Sequence, residues 1–207
     1  MADYSKPVPG VAFSGPNRFL SNMYPANISL QKPVFKFPEA CKPYWMHFLS
    51  GDIVFKSTEH AYQACKSGDP GYADLILSQD KAVKTKMLAH KLIPSQFSLM
   101  ERFHDNKVEL MRWLNYEKFY QNKHLADKLL ATSGEIVEEN TWGDTFWGVS
   151  GGKGKNMLGK ILMEVRDSLR FKKKLGDLMS HADDKPVSAM PDNIRSAQEF
   201  SERVRSN

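Results

Sequence analysis

The chain has 207 residues, 41% of them apolar, 26% charged and 11% aromatic, with a net charge of +5. That length suits one globular domain with decorations, and the composition is that of an ordinary soluble protein. No apolar run approaches the ~20 residues of a membrane span, so no membrane partner is expected, and the charge favours anionic ligands only mildly.

The opening MADYSKPVPG has no basic stretch followed by an apolar core, so it does not read as a secretory leader. Residues 1–12 read as an N-terminal arm, and the catalytic part is expected over 13–171. Turn formers crowd the first fifty residues: Pro7, Pro9, Gly10, Gly15, Pro16, Pro25, Pro33, Pro38 and Pro43. Short strands are expected at Arg18–Leu20, Ala26–Leu30 and Asp52–Lys56. Overlapping the first of these is FLSNMY, Phe19–Tyr24, where Ser21 and Asn22 either bind a ligand or make a turn before Pro25. Residues 32–50 read as an irregular insertion or lid. The two cysteines, Cys41 and Cys65, form no C-x-x-C pair, and the six histidines are scattered. No metal and no cofactor are therefore expected, and a reduced, cytoplasmic setting is the default.

From Ser57 the pattern turns helical. Ser57 is a candidate N-cap, with Glu59 in the first turn, where its charge suits the helix dipole. Within STEHAYQACK, Glu59, Gln63 and Lys66 fall at i, i+4 and i+7 and share a face. That face is either a solvated stripe or an acid, an amide and an amine set in a row for chemistry; His60 points elsewhere. Gly68–Gly71 ends the helix. Two short helices follow, over Tyr72–Gln79 and Asp80–Lys91, and one or two longer ones between Met100 and Ala131. Glu135–Glu139 reads as a strand.

NTWGDTFWG, Asn140–Gly148, puts two tryptophans and an aspartate in one glycine-containing loop. Trp142 and Trp147 can stack on a flat base, with Asp144 orienting a hydroxyl or a water; the competing reading is a hydrophobic plug with Asp144 capping a turn. SGGKGKNMLG, Ser150–Gly159, runs a basic, glycine-rich loop into a helix start, which suits phosphate on free amides with Lys153 and Lys155 nearby. It is neither a Walker nor a Rossmann loop, and an ordinary connector is the alternative. The last helix is expected over Met157–Phe171, with a one-sided apolar stripe. Residues 172–207 read as a polar extension, with a short helix at Ser196–Val204 as one option. The fold class expected is α+β, a single helix-rich domain with a small sheet.

Together FLSNMY, STEHAYQACK, GDTFWG (Gly143–Gly148) and GKNMLGKILMEVR (Gly154–Arg166) resemble the NADAR family in order and separation. The similarity runs from about Phe13 to Arg170, with 32–50 expanded relative to the family core. The resemblance implies a NADAR-like α+β fold with a ligand cleft built from these segments. It also implies hydrolysis of the C–N bond between C1 of a ribose and a base or amine. Family substrates fall into two groups: phosphoribosyl-aminopyrimidine intermediates of riboflavin synthesis, and ADP-ribose on guanine in nucleic acid. The resemblance further implies a lysine that attacks C1 and forms a Schiff base, and Lys66 matches it by position.

The expected site therefore has Glu59, Lys66 and Asp144 as catalytic groups. Ser21, Asn22, Gln63, Trp142, Trp147, Gly148, Lys155 and Asn156 are expected to bind substrate. In this reading Glu59 moves protons, the base stacks on a tryptophan, and phosphate sits over Gly151–Asn156. Lys66 needs a partly neutral amine, which desolvation favours and a nearby glutamate opposes. An oxocarbenium route worked by Glu59 and Asp144 stays open beside the Schiff base. Three functions remain: an N-glycosidase of a phosphorylated ribosyl small molecule, a hydrolase acting on ADP-ribosylated nucleic acid, and a non-catalytic ADP-ribose-binding module. The acid–amine pair speaks against the third, because a reader needs none.

Overall fold

The structure, a computed structural model, describes residues 13–48 and 51–182; the expected arm and the Ser196–Val204 helix lie outside them. The chain divides into a unit Met1–Arg166 and a unit Asp167–Asn207. The first holds the folded domain, and the described part of the second is helix continuing from it.

The helices are α1 (Thr58–Ala64), α2 (Pro70–Leu77), α3 (Ala82–Leu92), α4 (Phe103–Gln121), α5 (Lys123–Leu130) and α6 (Met157–Ala182). The strands are β1 (Ile28–Ser29), β2 (Val54–Phe55), β3 (Glu139–Asn140) and β4 (Val149–Ser150). β1 pairs antiparallel with β2, Ile28 opposite Phe55, and β3 pairs parallel with β4. This is the expected helix-rich α+β class.

α1 is the hub. Ser57 caps it, its Oγ accepting from the His60 amide, and α2, α3 and α4 all pack against it. Every residue of α1 is buried, so its small members, Ala61 and Ala64, let neighbouring helices approach while the polar ones need internal partners. Gly68–Gly71 has a second role beyond ending this turn: Asp69 Oδ1 caps α2 by accepting from the Tyr72 amide at 3.1 Å. Leu20, Ile28, Phe55, Leu110, Leu114 and Phe119 are fully or almost fully buried. Each such side chain contributes roughly 1.5–3 kcal/mol on leaving water.

Three expectations change. Gly15–Leu20 is a 3-10 turn, not a strand at Arg18–Leu20: Pro16 presets the first turn, and Phe19 and Leu20 are both buried instead of alternating. The strand expected at Glu135–Glu139 is displaced to Glu139–Asn140, because the Ile136 carbonyl and Glu138 amide are bonded by the Asn156 side chain. The last helix runs on past Phe171 to Ala182.

Residues 32–48 form a strap fastened to α4. The Glu117 carboxylate accepts from the amides of Val34 at 2.9 Å and Phe35 at 2.7 Å. The Phe35 ring meets Tyr116 and Tyr120, and Trp113 Nε1 donates to the Phe35 carbonyl. Farther along, buried Trp45 donates to the Ser67 carbonyl.

Candidate active site

α1, the turn at Ser21–Met23, α3 and the loop after β3 enclose a cavity of about 310 Å³. Among its lining residues are Glu59, Gln63, Lys66, Asp144, Trp142, Trp147, Ser21 and Asn22. The two segments that carry most of the expected chemistry thus meet across one space.

Glu59 is only 7% exposed. Gln63, one turn on, donates Nε2 to Glu59 Oε1 at 2.7 Å, and Gln63 Oε1 is buried without a partner. That amide fixes the carboxylate and leaves one acceptor for a ligand donor. Lys66 lies two residues past the end of α1, still following the same face; its Nζ is 5.7 Å from the Tyr62 ring centroid. Burial pushes its amine below the ordinary lysine value, and Lys86 adds to this, against the opposing pull of Glu59. Desolvation outweighs the glutamate, so the amine is easier to deprotonate than a surface lysine.

Asp144 both caps a turn and lines the cavity. Its Oδ1 accepts from the amides of Phe146 at 2.9 Å and Trp147 at 2.8 Å, and its own amide donates to Asn140 Oδ1. Trp147 is braced edge-on by Tyr62, the centroids 5.9 Å apart and the planes at 87°. Trp142 is 65% exposed, a flat face available for stacking. His60 turns away from the cavity, bonded to Ser57 Oγ and the Gln79 carbonyl.

Ser21 and Asn22 come to the cavity with much of their hydrogen bonding already committed. Asn22 Nδ2 reaches Met111 Sδ, its Oδ1 accepts from Asn115, and its carbonyl accepts from the Glu59 amide at 2.9 Å. The turn is held from beneath by the fully buried Lys118, whose Nζ donates to the carbonyls of Phe19 at 2.7 Å and Ser21 at 2.9 Å.

Gly148, Lys155 and Asn156 do not line this cavity. A Cβ on Gly148 would run into the Glu138 carbonyl, so glycine is there to let two backbones touch. Asn156, at φ +50°, is a buried strut joining the Ile136 carbonyl and the Glu138 amide. Lys155 extends its Nζ to 5.4 Å from the Phe146 ring centroid. The helix-start end of the expected phosphate position is taken up by internal bonds. The amides of Lys155, Asn156, Met157 and Leu158 donate to the carbonyls of Thr145, Gly148, Phe146 and Trp147, which uses the donors an anion would need.

Sequence reasoning missed Tyr62, Lys86, His90 and, above all, Glu138 in the cavity wall. Glu138 is pinned at both backbone groups, its amide to Asn156 and its carbonyl to the Val149 amide. Its Oε2 is buried without a partner. Burial first, then the negative charges of Asp144 and Glu59, push its carboxyl up to about 7. The available signal was the acidic pair Glu138–Glu139 just ahead of an aromatic loop, where alternation sends one side chain inward. A second cavity, about 570 Å³, adjoins the first and shares Ser21, Glu138 and Trp142 with it.

Among the described residues no helix is long and apolar enough to cross a membrane, and no cluster of His, Cys, Asp or Glu is arranged to hold a metal ion.

The NADAR domain family model matches residues 12–170. The chain is 35% identical over 153 residues to a riboflavin biosynthesis protein of Vibrio vulnificus, covering 73% of this chain but 35% of that protein's length. It is also 35% identical over 122 residues to the N-glycosidase YbiA of Escherichia coli, covering 58% of this chain and 74% of that one. The solution structure of E. coli YbiA superposes with a TM-score of 0.60 at 26% identity, over 80% of this chain and 88% of the other.

Proposed function

This chain belongs to the NADAR domain family, and from that premise we propose that it is a hydrolase acting on the N-glycosyl bond of a phosphorylated ribosyl compound of the kind met in riboflavin synthesis. The observation that carries the reading is the meeting of a deprotonation-prone amine, Lys66, with the carboxyl groups of Glu59, Glu138 and Asp144 in one tryptophan-walled cavity. A protein that only bound such a ligand would gain nothing from an amine and a carboxyl that desolvation has shifted toward their neutral forms in one cavity.

The base leans on Trp142 or Trp147. Glu138, protonated below about 7, donates to the leaving nitrogen as the C1–N bond breaks. The neutral Lys66 amine bonds to C1 as the base departs; the ring C1–O bond then breaks, its oxygen taking a proton released from Nζ by way of Glu59, which leaves a Schiff base of the opened ribose and the free base. Water then adds at C1, the C1–Nζ bond breaks, and the phosphorylated ribose leaves while Glu59 accepts and returns the protons in transit. The depressed Lys66 amine supports this route over a free oxocarbenium ion.

The test is incubation with a phosphoribosyl-aminopyrimidine and measurement of released ribose 5-phosphate, with and without borohydride. Wild type should release sugar and, when reduced, retain it covalently; Lys66→Ala should retain none. No release by wild type overturns the hydrolase reading. Release with no trapped adduct transfers the chemistry to the carboxylates alone. One observation favours the second substrate class, ADP-ribosylated guanine: the adjoining 570 Å³ cavity leaves room for a larger molecule. Its charged lining is Glu138 and Glu139, which suits a nucleic-acid backbone poorly. ADP-ribose released from modified guanosine, with none from the aminopyrimidine, would select that class.

A further inference from the structure

Behind the Tyr62–Trp147 wall lies a third, smaller space of about 240 Å³. It shares Tyr62, Lys66, His90 and Trp147 with the catalytic cavity, and α4 adds His104 and Lys107 to its lining. His104 and Lys107 are three residues apart on α4 and share a face. We propose that this annex is the phosphate subsite of the same site, taking the terminal phosphate of the ribosyl substrate while C1 lies in the acidic cavity; the assignment rests on the hydrolase reading given above.

Three observations carry it. First, every ionisable residue lining the annex apart from Tyr62 is a lysine or a histidine, and no carboxylate is among them. Neither Lys66 nor Lys107 has a carboxylate within salt-bridge distance among the described residues. Lys107 instead rests over the Phe146 ring, 4.0 Å from its centroid, with Lys155 5.4 Å from the same centroid. One ammonium group, Lys107, together with the Lys66 amine and two imidazoles as nitrogen donors, at a concave surface without a carboxylate, suits an anion.

Second, the charge is graded along the combined space. Glu59, Glu138 and Asp144 line the inner cavity; lysines and histidines line the annex. A ribosyl phosphate has the matching gradient: a dianion at one end, and at the other an anomeric carbon that gains positive charge as its C–N bond breaks. Third, the other candidates suit an anion less well. The amides from Lys155 to Leu158 are already bonded, and the large adjoining cavity has Glu138 and Glu139 in its wall.

Calorimetric titration of the full chain with ribose 5-phosphate, ribose and inorganic phosphate tests the assignment. Ribose 5-phosphate should bind at least ~10-fold more tightly than ribose, as one or two charge-assisted contacts require. Lys107→Gln and His104→Gln should each lose most of that advantage while melting like wild type, Lys107→Arg should keep it, and Lys160→Gln, exposed on α6, should leave it intact. The ring resonances of His90 and His104 should shift with ribose 5-phosphate and not with ribose. Two outcomes overturn the proposal: Lys107→Gln and His104→Gln both binding ribose 5-phosphate as wild type does, or inorganic phosphate alone binding as tightly as the sugar phosphate. Sugar release is measured separately. A phosphate preference without release ends the hydrolase reading and leaves the subsite; release without the preference does the reverse.

Discussion

Half-buried Glu138 and fully buried Lys118 are desolvated ionisable groups that sequence alone did not mark, and each has a measurable signature. Glu138 titrates near 7 because it is desolvated beside two other acids. The pH profile of kcat/KM should therefore have a limb close to 7, and Glu138→Gln should remove that limb while lowering the rate by ~10²-fold or more. A limb unchanged in the variant would mean that another group sets it. Glu59→Gln should cost ~10²–10⁴ in kcat with the melting temperature near wild type, read by initial rates and calorimetry. Lys118 is held down to about 7 by desolvation. Its folded value lies below its unfolded one, so between about 7 and 10.5 the unfolded chain binds more protons, and stability from this group rises with pH across that window. Lys118→Met should flatten that rise in denaturant titrations, and should also loosen the Ser21–Asn22 turn that the ammonium group holds.

At the scale of elements, the strap at 32–48 is irregular, in keeping with its prolines, and of the two readings, insertion or lid, the lid finds no support because the strap does not line the catalytic cavity. Its fastening depends on Glu117 reaching two amides from more than eighty residues away, a pairing that no local pattern announces. Glu117→Ala should lower stability by about 1.5–3 kcal/mol through loss of charge-assisted bonds to two part-buried amides, with KM unchanged; a raised KM would restore the lid reading. Gly159→Ala should destabilise by about 1–3 kcal/mol, because the added methyl meets the Ile136 carbonyl and the Asn156 amide. The α1 face was legible because Glu59, Gln63 and Lys66 recur at helical spacing and Ser57 signals the start. The helix class was legible for the same reason. The role of Asn156 was not, because its partners are backbone groups eighteen and twenty residues earlier. The internal bonding at the helix start was not legible either, because a glycine-rich run before a helix has the same sequence whether its amides face a ligand or, as from Lys155 to Leu158, carbonyls of the preceding loop.

Over the whole molecule the net charge of +5 is a weak guide, and the ordering of charge inside the cavities is the stronger one. Raising ionic strength from ~0.1 to ~0.5 M should weaken ribose 5-phosphate binding several-fold and leave ribose nearly unaffected, since screening acts on the phosphate contact. Equal salt dependence for both sugars would detach the annex from recognition. Lys66 borders both the acidic space and the basic one, and this position sets a trade-off. A dianion settling in the annex draws the Lys66 amine toward its protonated form, the form that cannot attack. Tighter grip on the substrate's tail thus slows the first covalent step, so natural selection on turnover should favour a loose hold there over a strong one.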